Sequence, residues 1–161
     1  ELGHEQVLGV FQVDDLQGIR RMNGFVRAYQ QHASLAISTS TVMYRSSDPI
    51  SHVMERIASY LQINPEITAI AAYNDQLAIE IYDLVRSMDL RVPEDVSIVG
   101  FDDYLLSEYL QPKLTTMTHE KEHMGRDAAE LLLKRIEGEK VESIDYTPEF
   151  IQRDSVRDLR K

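Results

Sequence analysis

SIVGFDDYLL, Ser97 to Leu106, joins a short run suited to a buried strand to a glycine-phenylalanine bend and two adjacent aspartates. Such a run, apolar and closed by a polar loop, reads as a strand of a parallel sheet covered on both faces. Residue types alone leave Asp102 and Asp103 open to four readings: catalytic pair, metal site, ligand clamp, or acidic start of a loop.

The flanking sequence repeats the pattern. Upstream, TAIAAY (Thr68 to Tyr73) is another short buried strand, and from Asp75, a candidate N-cap, a helix places Leu77, Ile81, Leu84, Val85 and Met88 on one stripe. Earlier, QVLGVFQV (Gln6 to Val13) is a strand feeding a helix with Ile19, Met22, Phe25, Val26 and Tyr29 on one face. AISTSTVMY carries a weaker strand signal. Asp48-Pro49 then opens a helix with Ile50, Val53, Met54, Ile57 and Leu61 aligned. Downstream, KLTTMT is a further short strand. Met124, Ala128, Leu131, Leu132 and Ile136 then mark a long helix closed by Gly138, and YTPEFIQ is a last extended piece.

Strands alternating with helices predict parallel pairing and right-handed crossovers, hence an α/β fold with a doubly wound parallel sheet. Ligands of such sheets bind beyond the carboxyl ends of the strands. Three polar clusters are expected there: Asp14-Asp15 with Arg20-Arg21, Asn74-Asp75, and Asp102-Asp103.

Composition narrows the function classes. The 161 residues suffice for one good core, and 43% apolar with 27% charged residues is ordinary for a soluble globular chain. No cysteine is present, which excludes disulfides, thiolate zinc sites and cysteine nucleophiles. The formal charge of -10 repels phosphate backbones, so any DNA contact is expected to lie outside this chain. ELGHEQVLG lacks the features of a secretory signal and no apolar run is long enough to span a bilayer, so a cytoplasmic protein without membrane contact is expected.

His119-Glu120-Lys121-Glu122-His123 satisfies H-E-x-x-H, in which two imidazoles one helical turn apart bind zinc and the glutamate polarises water. Here the string falls where LTTMT gives way to a helix, and the acidic residues are also what a helix N-terminus prefers. A zinc-dependent hydrolase using His119, Glu120 and His123 is therefore the alternative reading, and no metal or cofactor is expected under the preferred one. Asp102-Asp103 has no third catalytic group in the nearby sequence. Asp102, first after the strand, is better placed to face a crevice, while Asp103 suits a turn. Carboxylates accept hydrogen bonds from vicinal hydroxyls and arginine offers a fixed fork of donors, a combination suited to a sugar. Arg20 reads as an exposed helix residue, and Asn74 by type alone as a turn residue.

Thr68 to Thr116 followed by MGRDAAELLLKRIEGE resembles the C-terminal part of the effector-binding region of lactose-repressor-family transcription regulators. Its ordered elements are a strand with N-D, a helix, R-V-P-E-D, V-S-I-V-G-F-D-D, L-T-T and a helix near M-G. RRMNGF (Arg21 to Phe25 with its preceding arginine) resembles the family's R-x-x-G-F/W element. DDLQGIRRMNGF with AYNDQLAIEIYD is most similar to arabinose-responsive repressors, which carry a winged-helix head. The resemblance implies one subdomain of a periplasmic-binding-protein-like (type I) fold, with a sugar or nucleobase held between two subdomains. It maps Arg21, Asn74 and Asp102 onto ligand contacts, and places His119 where the family commonly has glutamine. It implies no catalytic residue, a monosaccharide effector such as arabinose, a homodimer, and operator DNA bound only through a head missing from this chain. Residues 5–117 with 145–156 would form the C-terminal effector subdomain, and 118–144 a helix and linker packing in the other subdomain. Without that partner, the apolar stripe from Met124 to Ile136 is expected to drive self-association or helix exchange between chains. An exported sugar-binding receptor shares the implied fold.

Overall fold

In the computed structural model, which describes residues 2–31 and 39–160, β1 (Val7–Gln12) runs between β2 (Thr39–Tyr44) and β3 (Ala69–Ala72), and β3 is flanked in turn by β4 (Ser97–Val99). All pairs are parallel, with Val10 opposite Val42 and Ala72, and Ile70 opposite Ile98. The order β2-β1-β3-β4 is that of a doubly wound sheet, with the strand direction of travel reversing between β1 and β3. The first residues of AISTSTVMY, 36–38, lie outside the described residues.

Alternation within β1 sorts the two faces. Leu8 and Val10 point with Ile70, Ala72, Val42 and Ile98 into one core, which α2 (Ile50–Ile63) and α3 (Asp75–Ser87) cover through Val53, Ile57, Leu61, Leu77, Ala78, Ile81 and Val85. On the other face Phe11 meets Phe25 of α1 (Leu16–Gln31) with ring centroids 5.4 Å apart. Right-handed crossovers require this division, since the chain moves one way from β1 to β2 and the other way thereafter. Gly18 is buried because α1 begins directly over the end of β1. A Cβ there would sit 1.9 Å from the Gln12 carbonyl oxygen.

The N-cap of α3 is Asn74, not Asp75. Asn74 has the extended backbone of a cap and its Oδ1 accepts from the Leu77 N–H at 2.9 Å. Asp75 is already helical and wholly buried, its carboxylate accepting from the Tyr104 N–H (2.8 Å), Ser107 Oγ (2.6 Å) and Thr116 Oγ1 (2.6 Å). Burial outweighs these donors and pushes its pKa up. Gly100 makes room for it, since a Cβ there would lie 2.1 Å from Asp75 Oδ1.

Beyond β4 the chain forms a 3-10 turn only four residues long (Leu105–Glu108) and returns as β5 (Thr116–Thr118). Thr115 lies parallel to Val99, and Ser155 joins the two: its Oγ donates to the Ile98 carbonyl and accepts from the Thr115 N–H. β5 pairs antiparallel with β6 (Glu149–Ile151). Between them α4 (Lys121–Ile136) projects without one buried residue. Gly138, at φ +87°, ends α4 as expected, with its N–H bonded to the Arg135 carbonyl and that of Glu139 to Lys134.

Candidate ligand-binding site

The carboxyl ends of β1, β3 and β4 bring together residues far apart in the chain. Asp15 caps α1 by accepting from the Gly18 N–H at 2.6 Å, and also accepts from the Tyr73 hydroxyl at 2.8 Å. These donors hold the Asp15 carboxyl below its ordinary pKa, the Gly18 amide contributing most. Burial, with the Asp15 bond adding to it, pushes the Tyr73 phenol up to about 12, so it remains a neutral donor.

Arg21, one turn into α1, reaches across this edge. Nη1 donates to the Tyr73 carbonyl and Nη2 to Asp102 Oδ1, both at 2.8 Å. Its guanidinium lies 3.8 Å from the centroid of the Phe101 ring and 5.0 Å from that of Tyr73. The Arg21 side chain is 14% exposed and that of Asp102 35%, so the arginine is a sheltered wall and the carboxylate opens outward. Asp102 Oδ2 has no hydrogen-bond partner among the described residues.

His119 lies over the same aromatic platform, its ring 6.1 Å from Phe101. Its imidazole makes no hydrogen bond among the described residues. Asn74 and Asp102 line a shallow cleft of about 100 Å³ with Asp75, Gln76 and Tyr104. On the far side of Asn74 a second cavity, of about 310 Å³, is lined by Gln12, Tyr44, Ile50, Gln76, Leu77 and Glu80 as well. The smaller cleft is well below the roughly 300 to 1,000 Å³ of complete small-molecule pockets.

All four residues expected from the sequence thus stand at this edge: Arg21, Asp102 and His119 around Phe101, and Asn74 beside Asp102. Asp14 turns elsewhere, accepting from the N–H and hydroxyl of Ser46. Arg20 is exposed. Sequence reasoning missed Tyr73 and Phe101, although both stand inside the strings YND and GFDD, immediately before the polar residues they support. It also missed Arg153 and Lys121, which serve the aspartate turn. Asp102 and Asp103 have φ of 104° and 45°, a region costly for residues other than glycine, and this sends their carboxylates to different partners. Asp103 Oδ1 accepts from Arg153 Nη2 at 2.7 Å, while Arg153 Nη1 donates to the Leu114 carbonyl.

The H-E-x-x-H string does not form the helical pair its spacing suggests. α4 starts at Lys121, with Glu120 as its cap, so His119 precedes the helix and lies toward Phe101, whereas His123 bonds Glu120. Among the described residues no group of three or more histidine, aspartate or glutamate side chains is arranged to hold a metal ion. No described helix is long and apolar enough to cross a membrane.

A doubly wound sheet with a charge-compensated, aromatic-backed polar wall at its switch point defines a ligand-binding α/β domain. The chain belongs to the periplasmic binding protein-like domain family, whose model matches residues 1–156. It is 40% identical over 163 residues to the arabinose metabolism transcriptional repressor of Geobacillus stearothermophilus, covering 98% of this chain and 45% of that protein. Against the repressor of the same name from Halalkalibacterium halodurans it is 38% identical over 171 residues, covering 99% and 45%. The chain thus spans about half the length of the curated relatives it matches. Similar solved structures include a LacI transcriptional regulator from a Rhodococcus species (26% identity, TM-score 0.84, 98% of this chain and 58% of that one). Another is a LacI-family regulator from Enterococcus faecium with bound ribose (27% identity, TM-score 0.83, 98% and 59%). The resemblance seen in VSIVGFDD is therefore borne out, and the relatives are repressors rather than enzymes.

Proposed function

We propose that this chain is the C-terminal half of the effector-binding domain of a sugar-responsive transcriptional repressor, without catalytic activity. The observation that carries the reading is the Arg21–Asp102 bridge on the Phe101 ring, which fixes a carboxylate with one oxygen left open to a ligand hydroxyl. The Asn74 side-chain amide and the His119 imidazole supply further donors and acceptors beside it. Arabinose is the favoured effector, by likeness to the two arabinose metabolism repressors.

The other wall of the site belongs to a second subdomain. Residues 118–144 pack in that subdomain, which agrees with an α4 that buries nothing here and with relatives about twice this length. Effector binding between the halves changes their angle, and in a cytoplasmic homodimer this lowers the operator affinity of heads carried outside this chain.

Calorimetric titration of the full-length protein with arabinose, ribose and a purine panel tests the reading. Binding of one sugar, lost in Arg21→Ala and Asp102→Ala, is the expected result. Unchanged binding in both variants would show that the site is misassigned.

A further inference from the structure

Asp102 is useful to a ligand only while its turn holds an unfavourable backbone. Two successive non-glycine residues at positive φ are each unfavourable, so the turn at Asp102 and Asp103 must be held from outside. Three holds are visible. The Asp102 N–H donates to the Met117 carbonyl at 2.8 Å. Arg153, its side chain only 11% exposed, ties the Asp103 carboxylate to the sheet. The third hold comes from α4: Lys121 Nζ donates to the Asp102 carbonyl and, at 3.3 Å, to that of Asp103.

This third hold differs in kind from the other two. Met117 lies in β5 and Arg153 just beyond β6, the antiparallel pair joined to the parallel sheet through the Val99–Thr115 bridge, whereas α4 buries no residue against these elements and meets the turn only at its first residue among the described contacts. Lys121 is that first residue, and its stem spans the gap between the helix and the turn. Any displacement of α4 withdraws the ammonium from both carbonyls. The turn can then relax, and the carboxylate that faces Arg21 loses its placement.

We infer that Lys121 is a positioning residue through which the orientation of α4 sets the ligand affinity of Asp102, and through which an occupied Asp102 holds α4 in place. The inference rests on the proposed ligand role of Asp102 and deepens it: Lys121 touches the turn, not the ligand, and transmits position rather than contributing a contact. Coupling of this kind is reciprocal by thermodynamic linkage.

The test compares Lys121→Met, which keeps the stem but removes the cation, with Lys121→Arg, which restores a donor. Without ligand, hydrogen exchange in the full-length protein is expected to speed up in Lys121→Met at the Asp102 and Tyr104 amides, to return toward normal in Lys121→Arg, and to leave the global unfolding midpoint unchanged. Unchanged exchange at those amides overturns the inference whatever the ligand proves to be. With arabinose, affinity is expected to fall about five- to tenfold in Lys121→Met, at the low end of measured couplings, and to recover in Lys121→Arg. Faster exchange with undiminished arabinose affinity also overturns it. If the unsubstituted protein binds neither arabinose nor ribose while the exchange pattern appears, the sugar reading fails and the hold on the turn stands.

Discussion

Arg21 and Asp102, 81 residues apart, meet through a single 2.8 Å hydrogen bond at the carboxyl ends of β1, β3 and β4. The arginine also spends its other terminal nitrogen on the Tyr73 carbonyl. Lysine cannot reproduce that fork or the stacking on Phe101. A double-mutant cycle of Arg21→Lys and Asp102→Asn is expected to give a coupling of about 1 to 3 kcal/mol in urea unfolding, as for contacting charged groups. Additive effects would mean that the pair contributes nothing to the fold.

Asp75 is the wholly buried counterpart of that half-buried pair. Asp75→Ala leaves the Tyr104 N–H and two hydroxyls without an acceptor and is expected to destabilise by at least about 2 kcal/mol. Asp75→Asn keeps the shape and costs less, because the hydroxyls of Ser107 and Thr116 can rotate to accept. Since burial raises the Asp75 pKa, its folded-state contribution is greatest at low pH and declines as pH rises through the raised value. The asparagine variant should lose that decline in denaturant midpoints measured across pH. Gly100→Ala, which drives a Cβ into the same carboxylate, should approach the alanine variant of Asp75 in severity.

His4 gives a pH dependence of opposite direction. Its ring bonds Thr68 Oγ1 and the Arg157 carbonyl, each at 2.9 Å, and burial holds its pKa below the ordinary value of 6.5. Its contribution to stability is complete above that unfolded value and is lost as pH falls through the lower folded one. The urea midpoint is expected to drop between about pH 7 and pH 5, the range in which histidine titrates, and His4→Gln should flatten the drop. An equally steep fall in His4→Gln would assign the effect to other groups.

α4 leaves Leu132, Leu133 and Ile136 at 60%, 61% and 73% exposure. Covering such side chains is worth roughly 1.5 to 3 kcal/mol each, so the isolated chain is expected to associate with rising concentration. Leu132→Glu combined with Ile136→Glu should return it to a monomer in sedimentation runs. A monodisperse unsubstituted monomer with α4 protected from exchange would show that the stripe is already covered.

The strands and helices were legible because their signals are local. VLGVFQ and SIV are short apolar runs, the stripes on α2 and α3 follow a 3.6-residue period, and Gly138 stops α4 where a left-handed residue is needed. The candidate site was legible only in part. Residue type put Arg21, Asn74, Asp102 and His119 near strand ends, and the family pattern singled them out. Neither could show that Asn74 rather than Asp75 caps α3, because both residues favour caps and the choice depends on which side chain the β4 turn buries.

Sequence by itself therefore determined the order of elements, the parallel sheet and the polar residues at the strand carboxyl ends, since each follows from patterns within about one turn or one strand. Tertiary structure alone decided the partners: Arg21 with Tyr73, Phe101 and Asp102, Arg153 with Asp103, and Lys121 with the carbonyls between them. Those contacts join residues from different elements at fixed distances. Their existence depends on how the sheet brings its carboxyl ends together, and one-dimensional spacing carries no record of that geometry.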